Sequence, residues 1–276
     1  MDLRTSADNV RYKTMTNQEL RETFVVTNLF QPDTVPLTYS DIDRGVVGSA
    51  VPVATSLGLP IHKELACDFF TQRREIGILN IGGTGVITVQ DESYELDYED
   101  SLYIGRGNEE VWFSSKDPKV PAQFYFVSYP AHTSYPTRLV RKPEAQRIDL
   151  GARETCNVRT IHQSIRPGIV DTCQIVMGFT SLESGSVWNT MPPHTHRRRS
   201  EYYMYYSMPK ENIVFHMMGE PDNVRSLVLQ NGDTALSPSW SIHSGVGTSA
   251  YTFCWSMGGE NQEFDDMDHL RASDLR

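Results

Sequence analysis

Met191-Pro-Pro-His-Thr-His-Arg-Arg-Arg-Ser-Glu201 is the stretch on which the reading of the whole chain turns. In an extended strand residues two apart point to the same side, so His194 and His196 present two imidazoles to one space. Residues 197–200 are polar and turn-like, and Glu201 opens the next strand. A turn of this length returns an antiparallel strand beside the first and brings the carboxylate to both rings. Three ligands converging from a hairpin suit a divalent metal with an open coordination position. Further on, Gly232-Asp-Thr-Ala-Leu-Ser-Pro-Ser-Trp-Ser-Ile-His243 marks a short strand between Gly232 and Pro238, with His243 placed to face back from beyond the turn. An HxH pair alone is a weak signal, because surface strands produce it often; Glu at hairpin spacing and the later G-x5-P-x4-H give it weight. The spacing therefore assigns one metal to His194, His196, Glu201 and His243. His62, His132, His162 and His269 stand alone and read as surface or hydrogen-bonded core residues. His216, between Phe215 and Met217, is the one other histidine with a claim on the pocket.

Outward from this segment the chain reads as short strands and turns. Residues 76–89, IGILNIGGTGVITV, hold two apolar runs split by Gly82-Gly83, a hairpin pattern. Strand-sized pieces follow at 93–96, 101–104, 110–113 and 124–127, then at 172–178, 201–206, 213–218, 226–229, 234–236 and 251–255. Closely spaced strands with little helical periodicity predict a sandwich or barrel. One helix is predicted over 17–23, with Asn17 as its cap. Three prolines within 130–143 place a linker at 130–150. A faint internal repeat aligns Glu75 with Glu201, and Asp100-Ser-Leu-Tyr-Ile-Gly105 with Asp233-Thr-Ala-Leu-Ser-Pro238. On that alignment Asp68 and Phe70 stand where His194 and His196 lie, and Glu110 stands opposite His243. The expected architecture is thus all-β, with two jelly-roll β-barrel modules: 1–140 without metal ligands and 150–276 holding the metal.

With 276 residues, the chain is long enough for two modules with real cores. A net charge of −10 and a pI near 5.3 argue against nucleic acid or an anionic membrane as partner, since both need a basic face. A small anionic substrate held by a local arginine remains compatible with that balance. Cys67, Cys156, Cys173 and Cys254 form no CxxC pair and fit neither a zinc finger nor a dense disulfide framework. Free thiols, an N-terminal MDLRTSADNVRYK without an apolar core, and the lack of any apolar run near 20 residues make a cytoplasmic protein the expectation.

HxH-x4-E followed by G-x5-P-x4-H resembles the two signature motifs of the cupin superfamily. Trp188, Met208 and Trp240 stand where that pattern has Gly, and Gly247 where it has Asn. A second resemblance spans nearly the whole chain. Ser40-Asp-Ile-Asp-Arg44, Asn80-Ile-Gly-Gly83, Pro130-Ala-His-Thr133, Trp188-Asn-Thr-Met-Pro192, Phe215-His-Met-Met-Gly219, Ser237-Pro-Ser-Trp-Ser-Ile-His-Ser-Gly-Val-Gly247 and Phe264-Asp-Asp-Met-Asp-His269 are similar, in this order, to the 5-keto-4-deoxyuronate isomerase family. The resemblance implies a bicupin that binds one zinc ion per chain through His194, His196, Glu201 and His243. It also implies interconversion of 5-dehydro-4-deoxy-D-glucuronate and 3-deoxy-D-glycero-2,5-hexodiulosonate in the breakdown of pectin and related polymers, and a hexamer.

Such an aldose–ketose isomerisation moves a proton from C2 to C1 while the carbonyl moves the other way. It calls for a Lewis acid and a base that shuttles the proton. Glu201, Tyr203, Tyr205 and His216 are candidates for the base, and the sequence leaves the choice open. Arg44, Arg74, Arg197, Arg198 and Arg199 are available for the substrate carboxylate. Two other classes stand beside this one: an iron or manganese cupin dioxygenase, and a non-catalytic sugar-binding barrel in which the metal only staples the fold.

Overall fold

Alternation of inward and outward side chains builds two similar double-layered barrels, and the computed structural model describes residues 1–276 of them. In the first, strands Asp2–Arg4, Leu37–Ser40, Val46–Ala50, Phe124–Pro130, Arg74–Asn80, Ser101–Ile104 and Arg138–Val140 lie side by side in that order. They face a smaller sheet ordered Leu57–Gly58, Val111–Ser115, Gly85–Val89 and Glu92–Leu96. In the second, the large sheet runs Gln146–Leu150, Arg159–Ile165, Val176–Leu182, Thr252–Gly259, Arg199–Tyr206, Thr234–Ser237 and Val25–Val26. Its smaller sheet runs Trp188–Asn189, Ile242–Gly247, Val214–Gly219 and Arg225–Leu229. The small sheets and the five inner strands of the large sheets match position for position, which is the jelly-roll architecture expected from the sequence. The edges differ, since Asp2–Arg4 pairs parallel where Gln146–Leu150 pairs antiparallel, and Val25–Val26 comes from before both barrels.

The expected hairpin at 76–89 does not form. Arg74–Asn80 pairs with Phe124–Pro130 and Ser101–Ile104, whereas Gly85–Val89 belongs to the other sheet. The glycines make a corner between sheets. Chain 120–123 passes so close that a Cβ on Gly83 would sit 2.0 Å from the Val120 carbonyl oxygen, and one on Gly82 2.4 Å from the Gln123 nitrogen. Buried Asn80 pins the corner. Its Nδ2 donates to the carbonyls of Gly83, Leu96 and Asp97 at 2.8, 3.1 and 3.2 Å, and its Oδ1 accepts from the N–H groups of Gly82 and Gln123. Paired glycines read alike in either geometry, so only the chain crossing behind them distinguishes the two.

The helix spans Asn17–Phe24, and its cap is Thr16 rather than Asn17. Thr16 Oγ1 accepts from the Glu19 N–H at 3.2 Å while Glu19 Oε2 accepts from the Thr16 N–H at 2.7 Å, a capping box that outranks a lone Asn. Leu20 and Phe24, one turn apart, bury the apolar face. That face does not pack in the first barrel. Tyr12, Leu20, Phe24, Val25 and Val26 join the core of the second, and Val25–Val26 extends its large sheet by pairing with Ala235 and Thr234. Residues 12–26 therefore cross the expected division between modules.

The barrels meet through the outward faces of their large sheets. Along Arg199–Tyr206 every residue is buried. Positions 201, 203 and 205 turn inward, while Tyr202 and Tyr206 reach Ile42 O and Glu99 Oε1 of the other barrel at 2.7 and 3.0 Å. Gly258 lets Tyr129 close in, since a Cβ there would lie 2.4 Å from its ring. Glu75, completely buried, locks the joint: its carboxylate accepts from the N–H groups of Cys173, Gln174 and Ile175 at 2.7, 2.7 and 3.0 Å and from the Tyr103 hydroxyl at 2.8 Å. A buried carboxylate is stable only with such a full set of donors. No helix is long and apolar enough to cross a membrane.

Candidate metal centre

Three segments of the second barrel aim four side chains at one point. Glu201 enters from Arg199–Tyr206, His243 from Ile242–Gly247 opposite Met218, and His194 and His196 from the segment preceding Glu201. All four residues are buried, and their ligand atoms lie within 4.8 Å of one another. Glu201 Oε2 is 2.9 Å from His196 Nε2 and 3.0 Å from His243 Nε2, and His243 Nε2 is 2.9 Å from His194 Nε2. These are the four residues the spacing pointed to. No other group of three or more His, Cys, Asp or Glu side chains is arranged to hold a metal.

The route by which the histidines arrive differs from the expected hairpin. His194–Thr195 pairs not with the strand of Glu201 but with Asp268–His269 near the C-terminus. The Arg199 N–H closes the intervening turn on the His196 carbonyl at 3.0 Å. Arg198 holds the C-terminal segment in place by ion pairs to Asp266 at 2.5 Å and Asp268 at 3.2 Å, and buried Arg199 donates to the Asp266 carbonyl at 3.1 Å. The arginine turn is therefore structural in Arg198 and Arg199, with Arg197 left exposed.

The groups behind the imidazoles fix how the rings meet the carboxylate. His196 Nδ1 lies 3.0 Å from the Arg199 carbonyl oxygen, which can only accept, so the proton of the neutral ring belongs on Nδ1. The Nε2 lone pair then points at Glu201 Oε2, and like-charged electron density faces itself at hydrogen-bond distance. His243 is braced the same way, its Nδ1 3.3 Å from Ser237 Oγ. Burial pushes His194 down to about 2, with neighbouring His243 adding to the shift; His243 is likewise lowered by burial. Burial by itself favours the neutral acid at Glu201, and only positive charge at the His243 and His196 positions beside it holds it well below the carboxylate range. Unprotonated imidazoles converging on a carboxylate repel unless a cation lies among them. Bonds of about 2.0–2.2 Å from one divalent ion would suit donors this close together. The donor set fits a metal.

One side of the cluster opens into a cleft of about 560 Å³. Ten of its 18 lining residues are hydrophobic, so charges within it are poorly screened. Tyr203 lines it, its hydroxyl 3.3 Å from Thr190 Oγ1, and burial pushes that phenol well above its usual range. Tyr205 and His216 lie deeper, bonded to each other at 2.8 Å between the hydroxyl and Nδ1. Burial pushes His216 down to about 3.

None of the five arginines offered by the sequence lines this cleft. Arg74 is spent on the carbonyls of Arg44 and Ser128 at 2.6 and 2.8 Å. The cleft's arginine is Arg159, which no motif marks. His269, read as solitary, stands there too because its strand pairs with His194.

The KduI/IolB family model matches residues 33–272. A protein of Lachnoclostridium phytofermentans named 4-deoxy-L-threo-5-hexosulose-uronate ketol-isomerase is 51% identical over 276 residues, covering all of both chains. Proteins of the same name from Formosa agariphila and Escherichia coli are 52% identical over 94% of this chain (92% of theirs) and 49% identical over all of both. Among solved structures, an IolB-like protein from Salmonella typhimurium LT2 aligns with a TM-score of 0.72 at 14% identity, over 91% of this chain and 98% of its own. Oxalate decarboxylase of Bacillus subtilis aligns with a TM-score of 0.56 at 13% identity, over 79% of this chain and 70% of its own. At such identities these two speak to the cupin-like barrel fold alone.

Proposed function

The chain belongs to the KduI/IolB family, and from this we propose that it is a 4-deoxy-L-threo-5-hexosulose-uronate ketol-isomerase, interconverting 5-dehydro-4-deoxy-D-glucuronate and 3-deoxy-D-glycero-2,5-hexodiulosonate. The observation that carries the reading is the buried His194, His196, Glu201 and His243 cluster opening on a cleft, in a chain 49–52% identical to enzymes of that name. We assign the metal as zinc, one per chain, since three imidazoles and a carboxylate are ligands zinc takes readily. A divalent cation held there supplies Lewis acidity to the carbonyl and its neighbouring hydroxyl.

The chain's own residues do the remainder. Glu201 and the three imidazoles form a fixed wall against which the aldehyde end rests. The apolar cleft excludes water from the carbanion-like centre at C2. The Tyr203 hydroxyl, hydrogen-bonded to Thr190 at the rim, is a neutral donor for an oxygen that gains charge as the C2 proton leaves. We further place the enzyme in the cytoplasm, in pectin and uronate breakdown, as a homo-oligomer of the hexameric kind, with a small sugar acid rather than nucleic acid or membrane as its partner. The net charge of −10 supports the last point.

The test is turnover of 5-dehydro-4-deoxy-D-glucuronate by as-purified, chelator-stripped and zinc-restored protein, with product identified by NMR. Conversion lost on stripping and regained with zinc is the expected result. No conversion by fully loaded protein would sink the substrate assignment, and oxygen uptake by an iron-loaded sample would then redirect it to dioxygenase chemistry.

A further inference from the structure

Away from the metal cleft, a pocket of about 180 Å³ in the first barrel stands apart by its charge. Leu65, Cys67, Phe70, Arg73, Arg74 and Pro130 line it, so two of its walls are cations and none is an acid. Arg74 opens the strand Arg74–Asn80 opposite Pro130, and only 8% of it is exposed. Its Nε donates to Ser128 Oγ at 3.1 Å, and its Nη2 to the carbonyls of Ser128 and Arg44 at 2.8 and 2.6 Å. These bonds fix the guanidinium and leave Nη1 without a protein partner. Exposed Arg73 makes one hydrogen bond, from Nη1 to the Ala66 carbonyl at 2.8 Å. Neither arginine takes part in an ion pair.

A buried guanidinium ordinarily meets a carboxylate, because an unpaired charge in a poorly screened site is costly. Burial lowers Arg74 to about 10, and the groups that bear on it next are Tyr39, Tyr202, Tyr129 and Cys67, all neutral at pH 7. The Cys67 thiol is pulled on by both Arg73 and Arg74, which sets it beside the two cations. Asp68, the acid that also bears on Cys67, is turned to Gln72 Nε2 at 2.9 Å and does not line the pocket. Two cations thus share a small concavity with no anion of the chain's own. We propose that this pocket binds a small tetrahedral oxyanion, inorganic phosphate or the phosphate end of a monoester, between Arg73 and Arg74. Arg74 presents a fixed donor from the wall, and Arg73, with Nε and Nη2 free, closes on the anion from the solvent side. The pocket shares no lining residue with the metal cleft and does not depend on the isomerase reading.

The experiment titrates inorganic phosphate, glycerol phosphate and acetate by calorimetry into zinc-loaded full-length wild type, Arg73→Met and Cys67→Asp. Alkylation of each cysteine by iodoacetamide is followed beside it by peptide mass spectrometry, with and without phosphate. Wild type is expected to take up one phosphate per chain and to bind acetate far more weakly. Bound phosphate should slow alkylation of Cys67 about fivefold or more and leave exposed Cys156 unaffected. Arg73→Met should weaken phosphate binding about tenfold or more. Cys67→Asp supplies the missing carboxylate from within, so it should abolish phosphate binding while circular dichroism shows the fold intact. Binding of either phosphate or the monoester supports the site, and the tighter of the two names its source. Wild type that binds neither would overturn the proposal, as it would if a neighbouring copy of the chain fills the pocket. So would binding that leaves Cys67 alkylation unchanged, which would put the anion in the metal cleft, or binding untouched by both substitutions.

Discussion

The two barrels share a strand order and differ in what fills them. Glu99 and Gly232, both at positive φ just before matching strands, bring the copies into register. Ser101 then corresponds to Thr234, and the ladders carry the correspondence across each sheet. Glu201 falls on Ile76, Ser237 on Ile104, His216 on Ile87 and His243 on Val111. Every ligand or ligand brace reached this way has an aliphatic counterpart, and the four counterparts sit in one 16-residue apolar core. The first barrel is closed by packing. The second gives up that packing for a buried polar cluster whose donor set fits a cation. The same backbone thus serves as a scaffold in one copy and as a reaction chamber in the other, and five or six side chains decide which.

The sharpest way to break this comparison is at the ligands. His243→Ala should lose bound metal and at least about 1000-fold in turnover, whereas Val111→Ala in the first barrel should leave both within a few-fold; elemental analysis beside the NMR assay reads both. Next in size is the reverse graft. Ile76→Glu puts a carboxylate into an apolar core with no partner and should cost about 3–5 kcal/mol in denaturant unfolding, with zinc content unchanged. A variant that unfolds like wild type would mean the first barrel tolerates charge and is not a packed scaffold.

Making the second barrel resemble the first should do the opposite. Glu201→Ile with Ser237→Ile and His243→Val abolishes turnover, yet against metal-stripped wild type it should be about 1–4 kcal/mol more stable. The smallest effect concerns acid. His216 titrates near the ordinary 6.5 when unfolded but only at about 3 when folded, so the unfolded chain binds the extra proton between those values and stability falls as pH drops through that window. From this ring alone the loss by pH 5 is about 2 kcal/mol. His216→Gln, which keeps a partner for Tyr205, should flatten the stability profile between pH 7 and 5 by that amount.

The candidate metal cluster was legible in its spacing: two histidines two apart, a Glu five beyond, a His after a second turn. The barrels were legible because strand alternation is a local signal. What the sequence hid was register. Reading Glu75 against Glu201, and Glu110 against His243, slips each strand by one residue, and in a sheet one residue is the difference between two faces. Glu75 points out of its barrel to the joint, and Asp68 is exposed and bonded to Gln72, while Phe70 does reach the core. Arg159 was hidden for another reason. It carries no motif, and its place in the cleft depends on pairing across three strands. Of the arginines that did stand out, at 197–199, Arg198 and Arg199 hold a distant segment in place and Arg197 is exposed.

Val25 and Val26 pair with Ala235 and Thr234. At synthesis rates of roughly 5–20 residues per second, some ~10–40 s separate the emergence of these two strands from the ribosome. Through that interval the helix Asn17–Phe24 has left the tunnel with its apolar face unmatched, because the wall it will cover has not yet been made. The first barrel can close early around its own core. The second must recruit a piece of chain that was made before the first barrel, so the order of manufacture is inert scaffold first and reactive chamber last.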